Sequence, residues 1–151
     1  MTSHMQRLEA LATRLGPNLW RSQPATPESI RQAEAALGVT FPPSYRAFLE
    51  RWGALAVIDV TISGILDNNQ DLGGSSVVGD TLRARQEHQL PERYIVIQSN
   101  YMAPYCLDMQ RPDAKGEVPA ICYELYTKHA GVIAASFGEW VEKFFIETVP
   151  L

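Results

Sequence analysis

The stretch from residue 26 to residue 53 constrains the fold most, because it predicts two short helices whose beginnings and ends carry the residues that favour them. Thr26 followed by Pro27 is typical of a helix start: the hydroxyl accepts a hydrogen bond from a free backbone N–H, and proline has no N–H to leave unsatisfied. Gly38 is typical of a helix end, since glycine readily adopts the left-handed conformation found there. The apolar residues between them, at helical spacing, are Ile30, Ala33 and Leu37. We therefore predict that this helix has one buried face.

The second helix of this stretch is predicted from Pro42-Pro43 to Gly53. Its apolar face consists of Tyr45, Phe48, Leu49 and Trp52, at spacings of three and four residues. Truncation of a buried aromatic side chain typically costs about 3–5 kcal/mol, a large part of the stability of a small domain. We therefore interpret Tyr45, Phe48 and Trp52 as structural residues.

The N-terminal segment predicts one more helix, at about residues 5–15, which ends at Gly16-Pro17. Its apolar residues at helical spacing are Leu8, Leu11, Ala12 and Leu15. We expect residues 1–25 to form this helix and a linker, packed on a domain formed by residues 26–151. At 151 residues the chain has the length of a single domain.

Strand-forming residues dominate after Gly53. The predicted strands are residues 54–65, 94–98, 105–109 and 118–127. A helix is predicted at about residues 78–89, and a last helix begins at Ser136, where Glu139 completes a capping box. The turn residues 111–116 indicate that the last two strands pair as antiparallel neighbours. Because helices and strands do not alternate regularly, the sequence predicts the α+β class.

Composition and cysteine content indicate the class of protein and the cellular compartment in which we expect it. Hydrophobic residues make up 46% and charged residues 20%, as in ordinary globular domains. No apolar run approaches the ~20 residues that a membrane-crossing helix needs. The N-terminal residues lack the apolar region of a signal peptide, and Cys106 and Cys122 follow no disulfide framework, so we expect a cytoplasmic protein with reduced thiols. A single bridge between these two cysteines is left open.

Charge is distributed unevenly along the chain. The net charge is −4, made up of +2 in residues 1–52 and −6 in residues 53–151. An acidic surface accelerates the encounter with a basic partner and repels nucleic acid. The dispersed arginines also form no basic stripe with interleaved aromatic residues, so we expect no nucleic acid partner. The alternative, an acidic surface that is simply solvated, remains open.

Catalytic and metal sites are weakly supported. Cys106 lies near Asp108, and His129 follows downstream, which suggests a thiolate nucleophile. Both cysteines fall in predicted strands, however, and free cysteines are among the most frequently buried residues, so an inert thiol is favoured. Three histidines and two distant cysteines match no metal-ligand spacing, and the polar loop that begins at Asp67 lacks the glycine and the glutamate of a calcium loop. We therefore expect no catalytic residue, no metal and no cofactor.

The remaining candidates for function are residues that could bind another protein. They lie in predicted loops or at the ends of predicted elements, where recognition residues concentrate. These candidates are Asp67, Asp71, Asp80, Glu87, Asn100, Tyr101 and Tyr105. Tyrosine is favoured at interfaces because it offers a large rigid area with a polar tip.

Three blocks of sequence resemble the SMI1/KNR4 family, also called the SUKH superfamily. The first runs from Ile30 to Leu49 with the pattern I-x-x-A-E-x-x-L-G-x-x-F-P-x-x-Y-x-x-F-L. The second comprises Y-I-V-I at 94–97, Y-C-L-D at 105–108 and G-E-V-P-A-I-C-Y at 116–123. The third is A-S-F-G-E-W-V at 135–141. Their order and spacing support the resemblance more than any one block does.

The resemblance implies an α+β domain with a central curved antiparallel sheet flanked by helices, and no catalytic residues. Bacterial members are typically immunity proteins that bind a cognate toxin, often a nuclease, whereas fungal members are signalling scaffolds. Accordingly, we expect a protein that neutralises a toxin with a basic surface, as a monomer or weak homodimer; the alternative is a regulatory scaffold without a toxin partner. Glu34 and Asp108 match polar positions of the family pattern and are interpreted as structural, as is Trp140 in the last helix.

Overall fold

The computed structural model describes residues 4–58, 60–69, 75–100 and 102–148. It has a helix at each of the five places that the sequence predicts. Their bounds are α1 His4–Leu15, α2 Pro27–Leu37, α3 Pro43–Trp52, α4 Val77–His88 and α5 Phe137–Trp140. A π-helix, Val141–Phe145, continues α5, and single 3-10 turns lie at Gly16–Asn18 and Ile146–Thr148. None of the helices in these ranges has the length and apolar character that crossing a membrane requires.

The helix ends use the capping residues that the sequence offers. The Thr26 hydroxyl accepts a hydrogen bond from the backbone N–H of Ser29 at 3.1 Å, and Gly38 adopts the left-handed conformation with a φ of 70°. At α5 the Ser136 hydroxyl accepts from the N–H of Glu139 at 3.1 Å. The Glu139 carboxylate accepts in turn from the N–H of Ala135, one residue before the position that a capping box normally uses. Local sequence therefore determines where these helices start.

The strands form two antiparallel sheets, which confirms the α+β class. The strands are β1 Leu19–Arg21, β2 Leu55–Val57, β3 Val60–Ile62, β4 Tyr94–Gln98, β5 Tyr105–Asp108, β6 Ala120–Tyr123 and β7 Ala130–Ala134. One sheet has the order β1-β2-β3 and the other the order β4-β5-β6-β7. The predicted antiparallel pairing of β5 with β6 is present, with Cys106 opposite Ile121. The two sheets meet where the N–H of Ser63 donates to the carbonyl of Ile97 at 2.7 Å.

Two predicted strands are divided or shortened in the structure. Residues 54–65 form β2 and β3, separated by a turn in which Ile58 has a φ of 56°. Residues 118–127 form only β6, because the N–H of Lys128 donates to the carbonyl of Glu124 and closes a turn from which the chain returns as β7. The strands β1 and β7 were not predicted. β1 has only three residues, and β7, with the sequence Ala-Gly-Val-Ile-Ala, lacks an alternating polar pattern.

Two apolar clusters lie on opposite faces of the four-stranded sheet. The main core lies between the helices and one face, and α1 contributes Leu8 and Leu11 to it. Its largest fully buried side chains are Trp52, Trp140, Tyr45, Phe48, Phe137 and Phe145. The second cluster, on the α4 side, consists of Leu90, Tyr94, Val96, Cys106, Ile121, Tyr123 and Leu125. Both faces of this sheet are thus buried, and the sheet holds α4 and the loops around it in place.

Candidate protein-contact surface

Three of the residues predicted to bind protein line one shallow pocket beside α4. Asp80, Glu87 and Asn100 all border this pocket, whose volume is about 130 Å³. The other residues that line it come from α4, from β4 and the loop that follows it, and from the turn after β6. Side chains from three separated parts of the sequence therefore meet at this point.

Hydrogen bonds fix the segments that surround the pocket. The buried Thr81 hydroxyl accepts from the backbone N–H of Val96 at 2.8 Å and so attaches α4 to β4. At the other end of the helix, the Lys128 ammonium donates to the carbonyl of His88 at 2.5 Å. The loop before β5 is held by the N–H of Leu125, which donates to the carbonyl of Met102 at 2.9 Å. Helix, loop and turn are therefore one connected surface rather than independent loops.

Two large apolar side chains are exposed on the loop and the turn of this surface. Met102, in the loop, is 45% exposed, and Tyr126, in the turn, is 70% exposed. We call the set formed by Glu87, His88, Asn100, Met102 and Tyr126 the α4 surface. Exposed apolar side chains surrounded by polar groups are typical of protein interaction sites.

Sequence analysis did not identify Met102 or Tyr126 as contact candidates. Tyr126 was placed inside the predicted strand 118–127, where it would alternate with buried residues. The polar run Thr127-Lys128-His129 that follows it is the signal that a turn begins there. Met102 has no comparable signal in the sequence.

Asp80 borders the pocket but is itself buried, with 3% of the residue exposed. Its carboxylate accepts from the Ser63 hydroxyl at 2.7 Å and from the Arg83 guanidinium at 2.9 Å. Burial raises the pKa of Asp80, and the hydrogen bonds from Ser63 and Arg83 oppose this effect. Asp80 therefore joins α4 to the end of β3, and its carboxylate is not available to a partner protein.

Asp67 and Tyr105 also make contacts within the fold. The Asp67 carboxylate accepts from the Ser22 hydroxyl at 3.1 Å and from the N–H of Gln23 at 3.2 Å. The ring of Tyr105 packs on Trp140 and Phe144, with centroid distances of 5.8 and 5.5 Å. The other two candidates, Asp71 and Tyr101, lie outside the described residues. Of the seven candidates, Asp67, Glu87 and Asn100 are exposed in the described structure, and Asp67 is the one of these three whose carboxylate is bonded within the fold.

Glu34 and Asp108, the two polar residues interpreted as structural, hold neighbouring segments. The Glu34 carboxylate accepts from the N–H of Phe41 at 2.7 Å and from the Arg46 guanidinium at 2.6 Å, which fixes the connection between α2 and α3. Asp108, 2% exposed, accepts two hydrogen bonds of 2.9 Å from Arg93. It also accepts from the N–H of Gln110, which shapes the turn after β5.

The aromatic residues interpreted as structural all lie in the main core. Two guanidinium groups, those of Arg21 and Arg51, each lie 4.3 Å from the centroid of the Trp52 ring. The Tyr45 hydroxyl donates to the carbonyl of Ser63 at 2.6 Å, so this buried ring also has a polar partner. The remaining two, Phe48 and Trp140, are fully buried.

The residues considered for thiol chemistry are separated by the sheet. Cys106 lies on β5 and is fully buried, whereas His129 is exposed just before β7, and β6 lies between β5 and β7. Both cysteines are free thiols. Cys106 pairs with Ile121, and Cys122 pairs with Tyr105, the neighbour of Cys106 on β5. Because neighbouring residues of a strand point to opposite faces, the two thiols lie on opposite faces of the sheet. Burial raises the pKa of each thiol. Within the described ranges, no three histidine, cysteine or carboxylate side chains are grouped so that they could hold a metal ion.

A wider groove of about 590 Å³ lies on another side of the molecule. It is bordered by residues 38–41, before α3, and by residues 109–118, between β5 and β6. The Arg93 side chain reaches its edge but is paired with Asp108. None of the seven contact candidates lines this groove.

Comparison with known protein families gives a match over residues 5–146 to the SUKH_5 family, described as SMI1-KNR4 cell-wall. The match includes all three sequence blocks and extends from α1 to the last helical turn. Domains of this kind are generally non-catalytic, and membership supports a protein-binding domain. Because the match covers nearly the whole chain, the chain belongs to the SMI1/KNR4 family of the SUKH superfamily.

Proposed function

We propose that this chain is an immunity protein, which neutralises a toxin protein by binding to it and covering its active site. The observation that carries the proposal is the α4 surface in a domain of the SMI1/KNR4 family. There, exposed apolar side chains lie beside a carboxylate on a rigid framework. Such a surface suits binding to another folded protein better than binding to a small molecule, since the pocket within it is shallow.

Charge supports a basic partner. Glu87 is exposed and forms no ion pair with a described residue. The Asp80–Arg83 pair next to it is satisfied internally. Carboxylates at the rim of an interface mainly raise the association rate, whereas buried aromatic contacts determine how slowly the complex dissociates. In the proposed complex Glu87 attracts the toxin, and Tyr126 and Met102 hold it.

Obstruction rather than chemistry is the proposed mechanism. The one thiol that was considered as a nucleophile, Cys106, is fully buried, and burial raises its pKa, so the reactive thiolate is disfavoured. A surface that covers a toxin's active site needs only shape and charge complementarity. These are properties of the α4 surface and require no reacting group.

The test is co-expression with each toxin domain found to be encoded beside this chain, combined with binding of the two purified proteins by calorimetry. We expect protection of cells and a one-to-one complex. Tyr126→Ala should weaken binding about 10-fold or more, as truncation of an aromatic anchor does. Glu87→Gln should mainly slow association and reduce its dependence on salt. Trp20→Ala, which removes an exposed aromatic ring on β1, is the matched control and should bind like the wild type.

Loss of protection on Trp20→Ala but not on Tyr126→Ala would place the interface elsewhere and refute the role of the α4 surface. Absence of both binding and protection with every neighbouring toxin domain would refute the immunity function itself. These two failures are distinguishable, since the first retains a complex and the second does not.

A regulatory scaffold is the second candidate, and the family description favours it because it refers to the cell wall. This function predicts several weak partners rather than one tight complex. It also predicts that deletion of the gene changes the sensitivity of cells to cell-wall stress in the absence of any toxin. Unchanged growth under cell-wall stress, together with tight binding of one toxin, would exclude it.

A further inference from the structure

Met102 carries the most exposed sulfur-containing side chain among the described residues. It is 45% exposed. Met5 and Met109, the other methionines that the structure describes, are half-buried and pack against the main core. Because an oxidant in solution must reach the sulfur atom to react with it, the fold favours oxidation of Met102 over oxidation of Met5 or Met109.

The two cysteines are less suited to react with an oxidant. Peroxide reacts with the thiolate rather than with the thiol, and burial raises the pKa of both thiols. Cys106 is also fully buried, and Cys122 is half-buried on the face of the sheet opposite to Cys106. A thioether has no proton to lose, so the reactive form of Met102 is the one present at neutral pH. Met102 therefore combines access with a reactive sulfur atom.

Hydrogen bonds hold the backbone of Met102 in the α4 surface. The carbonyl of Met102 accepts from the N–H of Leu125 at 2.9 Å, which places the loop beside the turn that carries Tyr126. In the same loop the Asn100 side chain accepts from the N–H of Ala103 at 3.3 Å. A change in the polarity of the Met102 side chain is thus confined to the surface that we propose to contact the toxin.

We propose that Met102 is a reversible oxidation site, and that its conversion to the sulfoxide weakens the binding of a toxin to the α4 surface; this inference rests on the proposed function. In the forward step the sulfur lone pair takes one oxygen atom from hydrogen peroxide. The S–O bond forms, the O–O bond breaks, and water leaves, so sulfur is oxidised by two electrons and peroxide is reduced by two. In the reverse step a methionine sulfoxide reductase uses two thiol groups, which become a disulfide while the sulfoxide oxygen leaves as water.

The sulfoxide changes an apolar contact into a polar one. In the proposed complex the Met102 thioether lies in the apolar part of the interface, with Tyr126. A sulfoxide oxygen that is buried there without a hydrogen-bond donor loses its hydration and gains nothing in return. Oxidation should therefore accelerate dissociation, whereas association, which depends on the charge of Glu87, should change little.

The first test maps the oxidation itself and needs no toxin. The full chain is treated with increasing hydrogen peroxide, and its peptides are analysed by mass spectrometry. We expect the sulfoxide at Met102 before it forms at Met5 or Met109, and similar rates at all three residues in urea, where the fold no longer protects them. A methionine sulfoxide reductase with dithiothreitol should remove the Met102 sulfoxide. Equal rates in the folded chain, or earlier oxidation of Met5 or Met109, would overturn the assignment of the site.

The second test measures dissociation from a toxin domain against which the chain protects cells in co-expression, before and after peroxide treatment. We expect dissociation to become about 10-fold faster, as on loss of one interface anchor. The reductase should reverse this change, but dithiothreitol alone should not, because it does not reduce methionine sulfoxide. Met109→Leu is the matched control: it retains Met102 and should respond to peroxide as the wild type does. Met102→Leu is compared only with itself, and its dissociation rate should change less than about 2-fold on treatment.

Three results would overturn the role of Met102 in binding. They are unchanged dissociation after complete oxidation of Met102, an equal response in Met102→Leu, and recovery with dithiothreitol alone, which would assign the effect to a cysteine. In each of these cases the untreated chain still binds, so the proposed function stands. If no toxin domain binds the untreated chain, the proposed function itself fails, and the role of Met102 in binding fails with it.

Discussion

The carbonyl oxygen of Gly53 occupies the space that a side chain on Gly64 would need: a Cβ on Gly64 would lie only 1.7 Å from it. The same carbonyl accepts a hydrogen bond from the N–H of Ile65 at 2.9 Å, and the N–H of Val77 donates to the carbonyl of Gly64 at 2.8 Å. The chain just after α3 and the chain just after β3 therefore cross at these two glycines without room for a side chain on Gly64, and the first residue of α4 is bonded to the same crossing.

Gly64→Ala should destabilise the fold by about 3 kcal/mol or more, because the backbone at this crossing must separate to admit a methyl group. Urea unfolding followed by fluorescence of the tryptophans measures the loss. Gly131→Ala is the matched control: it has the same loss of chain freedom in the unfolded state, but its new Cβ has space. Equal free energies of unfolding for Gly64→Ala and Gly131→Ala would show that the backbone at the crossing moves apart without cost.

The helices could be predicted from the sequence because their limits depend on neighbouring residues. Thr26 accepts from an N–H three residues later, and Gly38 needs only its own left-handed conformation, so both signals are local. The same holds for Ser136 at the start of α5. Chain segments whose structure is determined within one helical turn can be identified without knowledge of the rest of the fold.

The strands β1 and β7 could not be predicted, because their partners rather than their sequences define them. β1 is three residues long and exists by pairing with β2, more than thirty residues later in the sequence. The crossing of Gly53 and Gly64 likewise depends on residues that are distant in the sequence. No local pattern reports such contacts.

The candidate contact residues were only partly identified for the same reason. Asp80 and Glu87 are both acidic residues of one helix, but Asp80 faces Ser63 and is buried, whereas Glu87 faces solvent. The weak amphipathic pattern of α4 does not show which side packs against the sheet. Exposure in this helix is determined by β3 and β4, whose position the sequence alone does not give.

Thr81→Val should cost about 1–3 kcal/mol, the typical penalty for leaving a buried hydrogen-bonding group without its partner. The replacement keeps the shape of the side chain but removes the hydroxyl that accepts from the N–H of Val96 at 2.8 Å. The measurement is the free energy of unfolding in urea. The control is Thr13→Val on α1, where the threonine hydroxyl bonds to the carbonyl of Glu9 at an exposed position. If the free energy of unfolding falls equally in both variants, the hydrogen bond between Thr81 and β4 stabilises the fold no more than the exposed hydrogen bond of Thr13 does.

Asp80 should make stability depend on pH. Burial raises the pKa of its carboxyl in the folded state above the ordinary value of 3.8, so the folded protein retains a proton that the unfolded chain releases. The resulting stabilisation is complete below the unfolded pKa and is lost as the pH rises through the folded pKa. Removal of the titrating group should therefore make the protein relatively more stable at higher pH.

Asp80→Asn tests this effect by urea unfolding at several pH values between 4 and 7. We expect the free energy of unfolding of the variant, minus that of the wild type, to increase as the pH rises. Comparing two proteins at each pH removes the contribution of all other carboxylates. Glu50→Gln, which removes an exposed carboxylate of α3, is the matched control for the substitution itself. A difference that decreases with pH would mean that the paired carboxylate stabilises the fold by its charge.

Cys106 should resist alkylation as long as the chain is folded. Its thiol is fully buried, and burial raises its pKa, so neither access nor the thiolate form is available to iodoacetamide at neutral pH. Cys122 is half-buried on the opposite face and should react first, although burial also raises its pKa. Mass spectrometry of digested protein distinguishes the two sites, and full modification of Cys106 is expected only in denaturant. Rapid modification of Cys106 in the native protein would contradict the described packing of β5 and would reopen a thiol-based activity for this domain.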